Sequence, residues 1–434
     1  MSDISLNKQG YIKSDRSGLG LSRLSLVFVL GLLICILYIY ECWYVQTFPN
    51  IGIVVKGTTV CLVAVFLLHI LFESHSSVYM GMVPNGIWAN LILIAYCFIV
   101  GPFVAYNTSE LINSLIIYIG FIVASMVICY ISSQRKSIDW FLNIVLGTAF
   151  LCSIYALLRG ERYYGFGLRL SYRNNIHIFS VVLFFGIFAL AYKTKKTMRS
   201  LVIHFIPAVF FVYCIVESTS RKCLIASSIL ILIWLFVSLR AILKDKTTGV
   251  RITIVLITVS LLIVAFLYFY MFFLQSRLFR KFETFTNEES NSLRIDMYKI
   301  AGAIFLDKPL FGGGFDQYQF WSGSGSYSHS TYAEAIADLG FFGSVIFFVP
   351  IILAGFRLFR LVCRKDRTYQ SQITLALLCA ELFLGVGQIF FLEPQHIFIF
   401  SAIYWIEMNE TNKIMQKKQC EGDRKNETAC KYLR

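Results

Sequence analysis

The chain has 434 residues, 57% of them hydrophobic and 15% charged, with a net charge of +14. Soluble domains run nearer half apolar and a quarter charged, and here the apolar residues fall in long blocks, so the composition argues against a soluble globular protein. It also argues against a nucleic-acid binder, because the lysines and arginines gather in loops between apolar runs instead of forming one basic patch.

In chain order, residues 1–23 form a basic N-terminal tail with Lys8, Lys13, Arg16 and Arg23. The first apolar run begins near Leu24 and is too long for the core of a signal peptide, so it reads as a retained span. A span needs about 20 mostly apolar residues, and on that measure about twelve are expected. They lie at about 24–45, 51–72, 88–106, 111–132, 138–158, 176–192, 201–217, 223–240, 252–274, 335–356, 371–391 and 395–408. The expected fold is therefore all-α and polytopic. Residues 24–274 hold nine helices, 275–334 form a large external loop with short helices of its own, 335–408 hold three helices, and 409–434 form a polar, flexible tail.

Alternate connections are basic: Arg135 and Lys136; Lys193, Lys195, Lys196 and Arg199; Arg240, Lys244, Lys246 and Arg251; Arg357 through Arg367. This bias places those loops and both termini in the cytoplasm. Of the twelve cysteines, most lie inside apolar runs and none in the 275–334 loop, so they are expected to be small buried hydrophobes and not disulfide partners.

Three places depart from this pattern. The expected external loop 159–175 carries four arginines, Arg159, Arg162, Arg169 and Arg173, followed by Asn174 and Asn175. It is either a pocket for an anion or a set of arginines lying along lipid headgroups. Glu217-Ser218-Thr219-Ser220-Arg221-Lys222 puts Arg221 at a membrane boundary beside small hydroxyl residues, where a guanidinium either matches phosphate oxygens or snorkels to the interface.

The long 275–334 segment is the third. Ser290-Asn291-Ser292 can cap a helix. Leu293, Met297, Ile300 and Ile304 then recur at helical spacing, and Asp307-Lys308-Pro309 ends it. This reading puts Arg294 in the first turn, off the Leu293 stripe, where it is either a functional cation or an ordinary solvated charge. Gly312-Gly313-Gly314 follows; it serves either as a tight turn back to the membrane or as backbone N–H groups aimed at phosphate through Gly313. His329 stands where the polar loop meets an apolar helix, whose positive end favours a neutral imidazole able to take or orient a sugar hydroxyl proton.

No Asp-x-Asp pair, zinc-spaced Cys/His set, phosphate-binding P-loop or Gly-x-Ser-x-Gly elbow occurs. An enzyme built on this sequence is expected to need no metal and no cofactor, with arginines doing the electrostatic work on phosphate.

Taken together, these residues resemble a known family. Pro309-Leu310-Phe311-Gly312-Gly313-Gly314-Phe315, then His329-Ser330, nine residues, and Gly340-Phe341-Phe342-Gly343 resemble the signature of the O-antigen ligase/polymerase superfamily. Arg294 stands upstream as a family arginine does. Thr219-Ser220-Arg221 resembles its Ser-Arg helix start, and Arg169 with Asn174-Asn175 resembles its external Arg loop, without the usual Asn-Pro-Asn.

The resemblance implies a bacterial membrane glycosyltransferase acting on undecaprenyl-diphosphate-linked oligosaccharides at the outer face of the cytoplasmic (inner) membrane. His329, Arg221 and Arg294 would be catalytic; Arg169, Arg173, Asn174, Ser220, Gly313 and Tyr332 would bind substrate. Polymerisation of O-antigen, capsule or exopolysaccharide repeats is the expected activity. The alternatives are a ligase that transfers finished glycan to lipid A core and a non-catalytic flippase or transporter. Expected partners are the lipid-linked donor and acceptor, the bilayer, a chain-length regulator and a flippase, and no nucleic acid.

Overall fold

The computed structural model describes residues 20–43, 52–72, 83–159, 168, 176–244, 246–250, 253, 274, 288–364 and 367–432. Among these the protein is helical: α1 (Gly20–Trp43), α2 (Gly52–Phe72), α3 (Asn85–Val104), α4 (Thr108–Gln134), α5 (Asp139–Arg159), α6 (Ile176–Lys193), α7 (Met198–Ser218), α8 (Arg221–Leu243), α9 (Glu288–Asp307), α10 (Tyr318–Trp321), α11 (Thr331–Cys363), α12 (Tyr369–Leu384) and α13 (Pro394–Tyr432). The expected all-α polytopic architecture holds. Six of these helices, α3, α4, α5, α7, α8 and α11, are long and apolar enough to cross a bilayer, and α1, α2 and α6 contribute shorter apolar stretches. The expected span 252–274 lies outside the described residues but for Thr253 and Leu274.

The packing follows from how apolar residues are distributed around each helix. Helix α6 is buried on every side, with Val181 through Ala189 fully inaccessible in almost every case. A helix that is apolar all round belongs in the interior, and α6 sits among α5, α7, α8 and α12. Helix α8 is two-sided. Leu230 and Trp234 point inward, whereas Ile225, Ile229, Leu232 and Phe236 form an exposed stripe at helical spacing. On α11, Val345, Val349, Ile352 and Phe356 do the same. Apolar surface of this extent is a liability in water and is the natural lipid-facing side of a bilayer helix.

The last third of the chain departs from the expected layout in three ways. The expected span 371–391 is not one helix: α12 ends at Leu384, and residues 385–393 form an irregular bend. Gly385 and Gly387 permit it, because a Cβ would meet the Phe390 ring and the Lys222 side chain respectively. Helix α11 is broken at Gly340, whose φ of 62° and ψ of −164° are not helical. Thr331–Leu339 is thus a short helix set off from the long apolar one beginning at Phe341. Finally, the tail after 409 continues α13 to Tyr432. Its Lys, Gln, Glu and Met residues are strong helix formers, and Glu410 pairs with Lys413 one turn on.

Cys35, Cys61, Cys97, Cys129, Cys152, Cys214, Cys223, Cys363 and Cys379 carry free thiols. Cys97, Cys129, Cys152, Cys214 and Cys223 are buried as small hydrophobes, while Cys61, Cys363 and Cys379 are exposed on helices.

Candidate active site at one end of the bundle

The 309–314 loop and the Gly340 break build each other. Phe341 N–H donates to Pro309 O at 2.9 Å and Phe342 N–H to Leu310 O at 3.2 Å; in return Gly313 N–H donates to Ala337 O at 2.8 Å and Gly314 N–H to Asp338 O at 2.9 Å. The backbones of Gly312 and Gly340 come so close that a Cβ on either would lie 2.4 Å from the other's amide nitrogen. Tyr96 on α3 closes the joint, its hydroxyl donating to Leu339 O at 3.0 Å. The backbone of Gly313 is used up internally, since its carbonyl accepts from Trp321 Nε1 at 2.9 Å. The Gly run is therefore a packing turn, and Gly313 has no N–H left to aim at a ligand.

This joint presents His329. Ser328 is fully buried, and both its N–H and its hydroxyl donate to Glu334 Oε2 at 2.7 Å. Ser330 caps α11 by accepting from Ala333 N–H. Thr331 is anchored on the far side: its N–H is shared between Gly385 O and Gln388 O at 2.9 Å each, and its hydroxyl donates to Gln388 O at 2.6 Å and accepts from Phe390 N–H at 2.9 Å. With its neighbours pinned, His329 adopts a left-handed φ of 59°, a conformation that costs a non-glycine residue roughly 1–2 kcal/mol and is held by the surrounding bonds. Its ring meets Tyr327 edge-on at 4.5 Å. Neither ring nitrogen has a hydrogen-bond partner among the described residues. Burial, and then the positive charges of Arg294 and Lys222, lower its pKa to about 4. The imidazole is neutral at physiological pH.

The cations arrive from two other helices. Thr219 ends α7 in a left-handed conformation, with φ of 64°, and Ser220 begins α8. This sharp corner places Arg221 and Lys222 in the first turn of α8. Ser220 is fully buried, and its hydroxyl bonds the Cys223 thiol. Arg294 comes from α9, and its charge acts on Arg221, Lys222 and His329.

Two sequence readings of α9 need correction. The helix starts at Glu288, so Arg294 lies in the second turn and not the first; Glu288 and Glu289 at the start suit the positive helix end. The inward stripe holds at Ile300 and Ile304 but not at Leu293, which is 59% exposed; Ala301 and Ile304 are buried against Tyr318 and Ala337. Arg294, half-buried, falls on that inward face at i, i+7 and i+10 from Arg294 to Ala301 and Ile304. The small Ala301 admits the close approach of α11.

The bend after α12 ties these parts together. Its four successive carbonyls all accept: Gly385 from Thr331, Val386 from Tyr298 Oη at 3.1 Å, Gly387 from Lys222 Nζ, and Gln388 from Thr331. Helices α8, α9 and α11 are thereby fixed to one unwound helix end. Lys222, Thr331, Glu334 and this bend were not among the expected site residues. The available signal was the Gly385-Val386-Gly387 pair of glycines inside an otherwise apolar run.

Tyr332 has a structural position: its hydroxyl donates to Leu382 O at 2.6 Å and its ring stacks on Phe348. Arg169, Arg173 and Asn174 lie outside the described residues. Leu168, just before them, is buried and donates its N–H to Glu217 O at 2.8 Å. Below the bend, fully buried His396 bonds Glu381 Oε2 through Nδ1 at 2.6 Å.

Fold and site together define an all-α, multi-span membrane protein with a neutral histidine and three converging cations at one end of its helices. The family described as O-antigen ligase matches residues 206–348, a segment that contains Ser220, Arg221, Lys222, Arg294, Gly313 and His329. Over this segment, about a third of its length, the chain is similar to that family. No curated protein matches the sequence.

Proposed function

We propose that the protein is a glycosyltransferase that polymerises undecaprenyl-diphosphate-linked oligosaccharide repeats at the outer face of the cytoplasmic membrane. The observation that carries this reading is the meeting of Arg221, Lys222 and Arg294, from two helices, with the neutral imidazole of His329. Converging cations suit a diphosphate, and a neutral imidazole suits a hydroxyl proton.

In the proposed step, an acceptor sugar hydroxyl oxygen bonds to the anomeric carbon of the donor while the bond from that carbon to the lipid diphosphate breaks, with inversion. His329 takes the hydroxyl proton and passes it to water. Arg221, Lys222 and Arg294 hold the diphosphate and stabilise the negative charge that builds on it as it leaves. Donor binding would also prepare the base. The diphosphate offsets the charges of Arg294 and Lys222, which help depress His329, and so raises the basicity of the imidazole once the donor is in place. Arg169, Arg173 and Asn174 are proposed to assist donor or acceptor binding.

The test is reconstitution of the purified protein with a lipid-linked oligosaccharide. Longer lipid-linked products from that substrate alone support the polymerase. Transfer that requires added lipid A core would make it a ligase. No transfer with either acceptor would sink the enzyme reading.

Two further results are expected. First, kcat/KM should stay level on the acid side down to about pH 5.5, because a base with a pKa of about 4 remains unprotonated there. An acid limb centred at the ordinary histidine value would show that His329 is solvated and uncoupled from the cations. Second, a hydrogen bond to a charged group is worth about 1.5–3 kcal/mol, so Lys222→Met should lower kcat/KM for the donor by roughly 10- to 150-fold. Lys222→Arg should keep part of it. Equal kcat/KM for the Met variant and the native protein would remove Lys222 from the site.

A further inference from the structure

At the end of the bundle opposite His329 lies a cavity of about 650 Å³, within the range of small-ligand sites. Four separate segments wall it: the turn between α4 and α5, the connection between α6 and α7, the start of α12, and the middle of α13. Lys136, Lys193, Lys195, Lys196 and Lys413 line it. Only two carboxylates do, and both are engaged. Asp139 accepts from Ser137 Oγ at 2.8 Å, and buried Glu410 accepts from Lys413 Nζ at 2.7 Å. Lys193 donates to Asn143 and covers the end of α6. That leaves Lys136, Lys195 and Lys196 exposed, with no ion pair among the described residues. Helices α5 and α12 begin at the wall, so their positive ends add to the field.

The walls are rigid. Tyr369 is buried and donates its hydroxyl to Ala191 O at 2.9 Å; Trp405 Nε1 donates to Ser133 Oγ at 3.0 Å. A general bias of lysine toward one membrane face explains lysines in each loop. It does not explain why lysines from separate loops surround one built concavity.

We infer that this cavity binds a phosphate-bearing anion, at a site separate from that of His329. Ammonium groups on flexible stems suit phosphate as point charges without a fixed fork geometry. The phosphate could belong to a soluble ligand or to a lipid headgroup of the adjoining leaflet, and the experiment separates them.

The full chain carrying Arg221→Ala and Arg294→Ala, to silence the other cationic site, is placed in phosphatidylcholine nanodiscs and titrated with inorganic pyrophosphate. In parallel, phosphatidylglycerol retained by the same protein is counted by native mass spectrometry. Saturable pyrophosphate binding is expected to weaken by about tenfold or more when Lys136, Lys195 and Lys196 are changed to Gln. It should also weaken in about 1 M salt, where charges are screened beyond ~3 Å. If pyrophosphate is inert but the retained phosphatidylglycerol is lost in the Gln variant, the ligand is a lipid headgroup. A Lys→Arg version of the same three positions is expected to bind like its parent, which separates loss of charge from loss of fold. Failure to hold either probe, equal binding by parent and Gln variant, or an Arg variant no better than the Gln one would overturn the site.

Discussion

His329→Ala is expected to lower glycosyl transfer by about 10²- to 10⁴-fold, the range for removing a positioned general base. The substitution has a backbone side effect that must be separated from the chemistry. At φ of 59°, alanine is strained, whereas asparagine tolerates the left-handed region. His329→Asn should therefore lose as much activity as His329→Ala while keeping a higher Tm. In a deletion strain, surface glycan on a gel gives the second readout. Loss of long glycan with single repeats remaining marks a polymerase; loss of all attached glycan with lipid-linked polymer accumulating marks a ligase. Normal glycan from both variants would end the assignment of His329 as the base.

Gly340→Ala is expected to destabilise the protein strongly. The φ of 62° and ψ of −164° lie in a region open almost only to glycine. The added Cβ would lie 2.4 Å from Gly312 N, 2.6 Å from Phe311 C and 2.7 Å from Leu310 C, all backbone atoms that cannot rotate away. Strain and overpacking together should cost on the order of 3–5 kcal/mol, a large share of an ordinary folding free energy of about 5–15 kcal/mol. A fluorescence melting curve in detergent should show the loss, together with low protein yield. Gly312→Ala should behave alike, because its Cβ would meet the same joint from the other side. Gly302, on the open side of α9 with nothing within 4 Å, is the control. Its replacement by alanine should be neutral or slightly stabilising, since alanine is the better helix former. A native Tm in Gly340→Ala would mean that the 309–314 loop and α11 are not joined as described.

Much of the architecture was legible because its signals are local. Runs of about 20 apolar residues announce bilayer helices, and α3 to α8 begin and end within a few residues of the expected bounds. The end of α9 at Asp307 was legible for the same reason: Pro309 cannot continue the helix. The face of α9 was not. Leu293 looks like a core residue by type, but which side of a helix is inward depends on what packs there. In this protein it is the small Ala301 against α11, which turns Arg294 toward the site.

The sequence by itself determined that this is an all-α membrane protein, that positive charge gathers at Arg221 and Arg294, and that a histidine stands at the start of an apolar helix between two glycine-rich stretches. These follow from residue type and short-range spacing. Only the tertiary structure decided that Lys222 joins the arginines, that Gly313 and Tyr332 are spent on packing, and that 371–391 is a helix ending in a bend. The reason is physical. The four carbonyls of residues 385–388 are freed by unwinding the end of α12, and a freed carbonyl in a membrane protein must find a donor. Those donors, Thr331, Tyr298 and Lys222, come from three other helices far away in sequence, so no local pattern could have announced them.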